Sequence, residues 1–318
     1  MKKNKARIFA STKGMSHDEW LAARRNGVGG SEAAAIMGAS PWATALTVYV
    51  DKIGQAPEKD ETESMRQGSD LEAYVAQRFT EATGLKLKRT NCIYQHPEHP
   101  WMLANIDRDV IGDAGGFEAK TTNLLNKSDF EAGEVPLTYM WQCQHYMAVT
   151  GAPHWYLAVL VLGKAFHVFR IDRDETLIRQ LIESEREFWE EHVEKRIPPL
   201  PTGAEADDEA IKVIYPTSSE AEEADLTEVE DTLNRIELLK SDKKLLERRI
   251  AEAEEIIKLT MKTHEKGFSA GWKVIWKDQE RCTIDSKRLR MEQPEIAAAY
   301  SKASTSRVFT IKKLKEAM

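Results

Sequence analysis

The cluster Pro198-Pro199-Leu200-Pro201 constrains this chain more than any other feature, because neither a helix interior nor a central strand continues through it. It separates two stretches of different character. Downstream, Thr202 to Glu265 carries 18 acidic against 9 basic residues, and Thr227 to Thr260 contains no Gly or Pro. Apolar residues recur there at Leu226, Val229, Leu233, Ile236 and Leu239, then at Leu246, Ile250, Ala253 and Ile257, with Lys240 and Lys243 interrupting a strict heptad. One long helix, a helical hairpin or a short coiled coil each fits that spacing. Gly267 to Met318 has 11 basic and 6 acidic residues and opens with a strand-like pair, Trp272–Trp276 and Arg281–Ile284. The expected organisation is a first domain over residues 1–200, a linker over 201–224, a helical segment over 225–266 and a small basic unit over 267–318.

Upstream of the prolines, helix and strand patterns alternate. Ser16 to Arg25 reads as a helix with a capping box, Ser16 and Glu19. Gly27-Val28-Gly29-Gly30-Ser31 reads as a tight turn, with Ser31 the N-cap of a helix through Met37. A further helix is predicted from about Asp70 to Thr83, presenting Leu71, Val75, Phe79 and Ala82 on one face, with Gly84 as its stop. Met102–Ile111 and Phe117–Thr121 flank a Gly-rich break and predict a hairpin. Tyr139–Thr150 is helical in pattern, Trp155–Leu162 and Ala165–Ile171 form a second hairpin, and a long helix runs from about Asp174 to Lys195. Mixed order of this kind predicts an α/β or α+β domain around a central sheet.

With 42% hydrophobic residues the chain can bury a core, which excludes wholesale disorder. Its 45 Lys+Arg against 52 Asp+Glu give a formal charge of −7, which argues against a uniformly basic nucleic-acid coat. A polyanion can still be met through local basic patches and a carboxylate-held metal. Cys92, Cys143 and Cys282 lie far apart without a CxxC pair, so neither a disulfide framework nor a cysteine-rich zinc site is expected, and a reducing cytoplasm fits. The basic start Met1-Lys2-Lys3-Asn4-Lys5 leads into no apolar segment of signal-peptide length, and no apolar run approaches the roughly 18 residues of a membrane helix. A soluble cytoplasmic protein is the expectation.

The chemistry-bearing pattern is Asp107 followed by Glu118-Ala119-Lys120. Residues two apart on a strand share a face, so Glu118 and Lys120 project together, and the hairpin can bring Asp107 alongside. Two carboxylates so placed can hold a hard cation such as Mg2+, with Lys120 positioned to orient water or offset charge. An ordinary charged surface hairpin has the same string. Its neighbours add weight: Glu72 lies on the preceding helix and Gln142 on the following one. Asp109 is a rival for Asp107, two residues on. His96 and His99 sit in a proline-containing loop without a Cys pair, which argues against a metal site, and His145 reads as packing or DNA contact. Trp272 and Trp276 alternate with Lys273 and Lys277, the pattern of either an aromatic core with a basic face or a stacking surface for single-stranded bases.

In this order the motifs resemble the PD-(D/E)xK nuclease superfamily, and within it the YqaJ-like viral recombinase branch. They are Trp20/Arg24 leading to Gly27-Val28-Gly29-Gly30-Ser31-Glu32, Gly68-x3-Glu72 with Phe79-x4-Gly84, Ile106-Asp107 with Glu118-x-Lys120, and Gln142-x3-Tyr146 before Val149-Thr150-Gly151. Ile106 replaces the motif's nominal proline. The resemblance covers roughly residues 15–195. It implies a restriction-endonuclease-like core, a mixed sheet flanked by helices, with the C-terminal helical and small β-containing part as an extension. It further implies that Asp107, Glu118 and Glu72 ligate metal, with the Ala119 carbonyl a third donor beside the first two, and that Lys120 positions the attacking water. Gln142 would orient the site or touch the DNA backbone, with Tyr146 in support. The Gly-rich turn with Arg24, Arg25 and Ser31 would receive a terminal 5′-phosphate; glycines and a helix start suit a phosphate, although a turn that only caps a helix has the same sequence.

The implied activity is Mg2+-dependent hydrolysis of linear duplex DNA from 5′ ends, leaving 3′ single-stranded tails, with Mn2+ able to substitute. A single-strand annealing protein and a ring-shaped homotrimer are the implied partners. An endonuclease on the same core, or a catalytically idle DNA-binding or assembly protein, remain the alternatives.

Overall fold

The computed structural model describes residues 6–57, 61–123, 130, 133–219, 223–303 and 307–313. The chain divides into two compact units, Met1–Pro216 and Thr217–Met318. Among the described residues no helix is long and apolar enough to cross a membrane.

The first unit runs β1 (Arg7–Ser11), α1 (His17–Arg24), β2 (Val28–Gly29), α2 (Gly30–Ile36), α3 (Ala45–Lys52), α4 (Glu63–Thr83), β3 (Lys86–Arg89), β4 (Cys92–Gln95), β5 (Met102–Ala104), β6 (Arg108–Ile111) and β7 (Gly116–Thr122). It continues with α5 (Leu137–Thr150), β8 (His154–Val161), β9 (Ala165–Asp172), α6 (Glu175–Glu187, extended by a wider turn over Phe188–Val193) and α7 (Glu205–Ile214). The larger sheet has the order β3-β6-β7-β8-β9, with β7 and β8 parallel and the other neighbours antiparallel. α5 makes the crossover that a parallel pair requires. A smaller sheet, β1-β4-β5-β2, lies beside it.

Strand parity sorts the side chains. Phe117 packs with Val75, Ala76 and Phe79 of α4, on the same side as Val110 and Ala158. The neighbouring positions Trp155, Leu157 and Val159 pack with Met147 and Cys143 of α5. β8 is therefore apolar on both faces, as a strand covered by helices on each side should be. Glu118 and Lys120 alternate with Phe117 and Ala119, so they project toward α5. Between the layers, His145 is wholly buried and donates from Nδ1 to Glu185 Oε1 (2.8 Å) and from Nε2 to the Leu103 carbonyl (2.8 Å). His145 is a packing residue.

Four expectations change. The predicted strand Met102–Ile111 is two strands in different sheets, with Asn105 to Asp107 crossing between them. α4 starts at Glu63 rather than near Asp70, under a Thr62 cap, and carries Gly68 inside it. There a Cβ would lie 3.7 Å from Thr121 Oγ1, so the glycine marks where the helix passes close to β7. Ala82 of the predicted apolar face is exposed, because α4 outlasts the sheet it covers. The stretch 201–224, read as a linker, contains α7. Its Ala210, Val213 and Ile214 pack with Leu46, Val48 and Val50 of α3, and Asp207 accepts from Thr44 Oγ1 (2.5 Å), Thr202 N (2.6 Å) and Gly203 N (3.1 Å). Burial would raise the Asp207 carboxyl, but these donors outweigh it and hold it below its ordinary range.

In the second unit α8 (Glu230–Met261) is one continuous helix of 32 residues, entered by a short turn over Thr227–Val229. β10 (Lys266–Ser269) and β11 (Trp272–Ile275) then form an antiparallel hairpin, followed by α9 (Ser286–Glu292) and α10 (Pro294–Ala299). Trp272–Ile275 thus pairs with the residues before it and not with Arg281–Ile284, which are irregular. Ala270-Gly271, with Gly271 at φ 81°, is the two-residue turn that decides this pairing.

Candidate active site

The hairpin register pairs Arg108 with Phe117 and Asp109 with Gly116, which puts Asp107 beside Glu118 and Ala119. The Ala119 N–H donates to Asp107 Oδ2 at 2.8 Å. Glu118 is only 3% exposed; its Oε1 accepts from Gln142 Nε2 (2.6 Å) and Lys120 Nζ (2.7 Å). Its other oxygen, Oε2, is buried without a hydrogen-bond partner. Burial first, and then the Glu118 charge, push the Asp107 carboxyl well above its ordinary range. Burial alone would lower the Lys120 ammonium, but the Glu118 and Asp107 carboxylates outweigh it and raise its pKa, so Lys120 stays charged. Tyr139 lies under that ammonium, 5.6 Å from ring centre to Nζ.

α5 brings Gln142 and Tyr146, one turn apart on the same side of the helix. Gln142 Nε2 also donates to the Tyr146 hydroxyl at 2.8 Å. Burial, followed by the nearby Glu118 and Asp107 charges, pushes the Tyr146 phenol well up. From the other side come Arg24 and Ser31: Arg24 Nη2 donates to Ser31 Oγ (2.8 Å) and to Glu32 Oε1 (3.3 Å), and its guanidinium lies 4.7 Å over the Trp20 ring. Arg24, Ser31, Asp107, Glu118, Lys120, Gln142 and Tyr146 line one cavity of about 180 Å3.

The structure leaves other expected residues outside this cavity. Ser31 is not the N-cap. α2 begins at Gly30 with Gly29 as its cap, and the Glu32 carboxylate takes the Gly29 N–H at 2.7 Å. Arg25 ends α1 and faces Asp51 at 3.6 Å. Glu72 is bound by Arg108 (2.8 Å) and faces Arg89 (3.8 Å); it shares with Asp107 a separate depression of about 190 Å3. Among the described residues no three His, Cys, Asp or Glu side chains are grouped to hold a metal. Asp109 lines a different depression with Tyr94, Gly116 and Trp155. His96 caps its own loop through Nδ1, accepting from the Glu98 and His99 amides, and burial followed by the charge of His99 lowers its pKa to about 4.

Two contributors escape sequence reasoning. Lys52, with a fully buried side chain, donates to Glu32 (2.8 Å) and to the Arg24 carbonyl (3.0 Å), anchoring the wall that carries Arg24. Burial would raise the Glu32 carboxyl, but Lys52 and Arg24 outweigh it and hold it low. The only signal for Lys52 was a lone cation ending the apolar helix Ala45–Lys52. Asn105 lines the depressions on both sides of Asp107 and accepts from Trp20 Nε1 at 3.5 Å.

A hard divalent cation fits this donor set. Asp107 and Glu118 offer oxygen donors in a buried setting, one of those oxygens has no partner, and their mutual repulsion is what a cation would relieve. Glu72 would have to leave Arg108 to join them.

Residues 19–153 match the profile of the YqaJ-like viral recombinase domain. Over 318 residues the chain is 35% identical to the protein YqaJ of Bacillus subtilis, covering 99% of this chain and 100% of that one. The chain belongs to the YqaJ-like viral recombinase family. The profile match spans every residue of the cavity, from Arg24 to Tyr146. The similarity to YqaJ extends through the second unit as well, beyond the residues that the family profile matches. Among solved structures, an alkaline exonuclease (LHK-Exo) from Laribacter hongkongensis is 24% identical, with a TM-score of 0.49 and coverage of 57% of this chain and 94% of that one. A phage-related exonuclease from Haemophilus somnus is 13% identical, with a TM-score of 0.40 and coverage of 54% and 96%. Likeness of that size carries no argument about activity.

Proposed function

We propose that this chain is a metal-dependent deoxyribonuclease that degrades linear duplex DNA from its 5′ ends and leaves 3′ single-stranded tails. The observation that carries the reading is the single cavity that joins Asp107, Glu118 and Lys120 to Arg24 and Ser31. Membership of a viral recombinase family supports it, since recombination by strand annealing consumes such tails. Asp107, Glu118 and the Ala119 carbonyl would hold Mg2+, or Mn2+ in its place; when bound, the cation activates water and offsets charge on the phosphoryl group. Lys120 keeps its proton and holds the attacking water by donating to it. Gln142 fixes the rotamer of Glu118 and is itself fixed by Tyr146. Arg24, kept in place by Glu32 and Lys52, presents its guanidinium with Ser31 to the terminal phosphate.

The same proposal includes a ring-shaped trimer, an annealing protein as partner, and a cytoplasmic setting. Its support is the family alone. The test is digestion of 5′-phosphorylated linear duplex, 5′-hydroxyl linear duplex and covalently closed circles, with and without Mg2+. Mg2+-dependent loss of the phosphorylated linear form is the expected result. Nicked circles would favour an endonuclease, and no cleavage of any substrate would leave an idle DNA-binding protein.

A further inference from the structure

The hairpin of the second unit carries three aromatic rings, and their exposure settles which of two uses they have. A core for a small unit would bury them. Instead Trp272 is 75% exposed, Phe268 74% and Trp276 47%. A groove of about 640 Å3 is lined by Ile256, Met261, Phe268, Trp272 and Val274; Trp272 and Val274 project from the face of the hairpin turned to Met261, and Phe268 from the other.

Charge accompanies the rings. The register pairs Phe268 with Lys273 and Lys266 with Ile275, and Lys266 and Phe268 are two apart on β10. Lys266, Phe268 and Lys273 therefore share one face of the hairpin, with an aromatic ring between two ammonium groups. Residues 266–277 hold three lysines and no carboxylate, and Gly267 to Met318 has a basic excess of 5 in a chain whose total charge is −7. An apolar groove alone would suit a helix of another protein. Glu265 and Asp278 flank this stretch, but the groove's lining carries Lys266 and no carboxylate; cationic charge beside exposed flat rings selects a polyanion with accessible π-faces, and a duplex keeps its base faces stacked out of reach.

We propose that the β10–β11 hairpin binds single-stranded DNA, with a base stacked on Phe268, phosphates at Lys266, Lys273 and Lys277, and the strand passing round the turn at Gly271 to the Trp272 ring on the other face. This site is separate from the hydrolytic cavity, and its binding does not depend on hydrolysis. If the chain also makes 3′ tails, the hairpin can retain the strand that hydrolysis leaves.

The test is binding of full-length protein to oligo(dT) of about 16 nucleotides in EDTA, read by tryptophan quenching and by anisotropy of a labelled oligonucleotide. Trp272→Ala and Phe268→Ala should each weaken binding about tenfold. Lys266→Gln with Lys273→Gln should reduce the slope of log affinity against log salt by about 0.7 per lysine. These lysines are exposed, so this variant decides the matter even where an aromatic variant fails to fold. No binding by the unmodified chain, an unchanged salt slope, or equal competition by duplex of the same length would overturn the proposal. So would Trp272→Ala with a changed mass in light scattering and unchanged DNA affinity, which would assign the groove to a second copy of the chain.

Discussion

Replacing Gly30 by alanine tests whether packing behind the cavity controls its chemistry. A Cβ at Gly30 would lie 2.5 Å from Cε1 of Tyr146 and 3.0 Å from Cδ1 and Cζ. Carbon atoms in contact settle at about 3.5–4.0 Å, so the ring must retreat by roughly 1 Å. Tyr146 has little room to do so: it is buried, and its ring centre lies 5.2 Å from that of Trp155. Overpacking of this kind destabilises by about 1–3 kcal/mol. The better helix propensity of alanine offsets up to about 1 kcal/mol of that. A net loss of about 1–2 kcal/mol corresponds to a fall of roughly 2–8 °C in melting temperature for a unit of this size. The displacement then travels from the Tyr146 hydroxyl through Gln142 to Glu118, over bonds of 2.8 and 2.6 Å. A misplacement near 1 Å at a reacting group is worth about a hundredfold in rate. Differential scanning calorimetry and strand release from linear duplex read the two effects separately. In a Tyr146→Leu background both should shrink, because the ring that the methyl group meets is gone. A melting loss with an unchanged rate would reduce Tyr146 to a core residue, and a variant unchanged in both would refute the steric reasoning itself.

Glu118→Gln should lower Mg2+ affinity in calorimetry and cut hydrolysis roughly a hundredfold or more; near-normal Mg2+-dependent hydrolysis would remove the hairpin as the site. Lys120→Ala should retain Mg2+ binding while slowing the chemical step to a similar extent, and loss of metal binding would contradict its assignment to the water. Asp207→Asn should destabilise the first unit by roughly 2 kcal/mol at neutral pH, since it weakens donors aimed at a charged group. The wild-type carboxyl is held below its ordinary value, so its contribution is complete above about pH 4 and is lost as pH falls through the folded pKa. The two proteins' melting temperatures should therefore converge below about pH 4, and a gap that persists into acid would show that charge is not the cause. A chain ending at Pro216 should be soluble and cleave linear DNA, whereas one ending at Pro201 should lose α7 and melt lower; equal stability of the two would mean that α7 contributes nothing.

Local patterns carried the fold furthest where a single element decides its own structure. The capping box of Ser16 and Glu19 is present as both reciprocal hydrogen bonds, and Gly84 and Gly151 end their helices at positive φ. Apolar period and stop residues are enough for such elements. The boundary at the proline cluster is a different matter. α6's extension ends at Val193, ahead of the prolines, in a turn that puts Arg196 at φ 58°, and beyond it the return to the core includes Asp207 meeting Thr44, 163 residues earlier. Composition sees only that the segment is acidic. Likewise, Trp272 and Trp276 have the same spacing in a buried and an exposed hairpin, and only the neighbours decide which one forms.

The same distinction explains the site. Glu118 and Lys120 were legible because strand parity alone puts them on one face, and Gln142 because its helix follows directly in the crossover. Glu72 was legible as a neighbour of Asp107 but not as the partner of Arg108, since that bond joins α4 to β6 across 36 residues. Asp107 and Asp109 mark the limit of parity most clearly. Two residues apart on one strand they should face the same way, yet they line different depressions. The reason is that the chain leaves the smaller sheet at Ala104 and enters the larger one at Arg108, so alternation is not continuous through Asp107. Freed from a ladder, Asp107 turns its carboxylate back to the Ala119 amide and lies against Glu118. The break in the predicted strand is thus what creates the carboxylate pair, and a residue pattern that assumes an unbroken strand has no means of choosing Asp107 over Asp109.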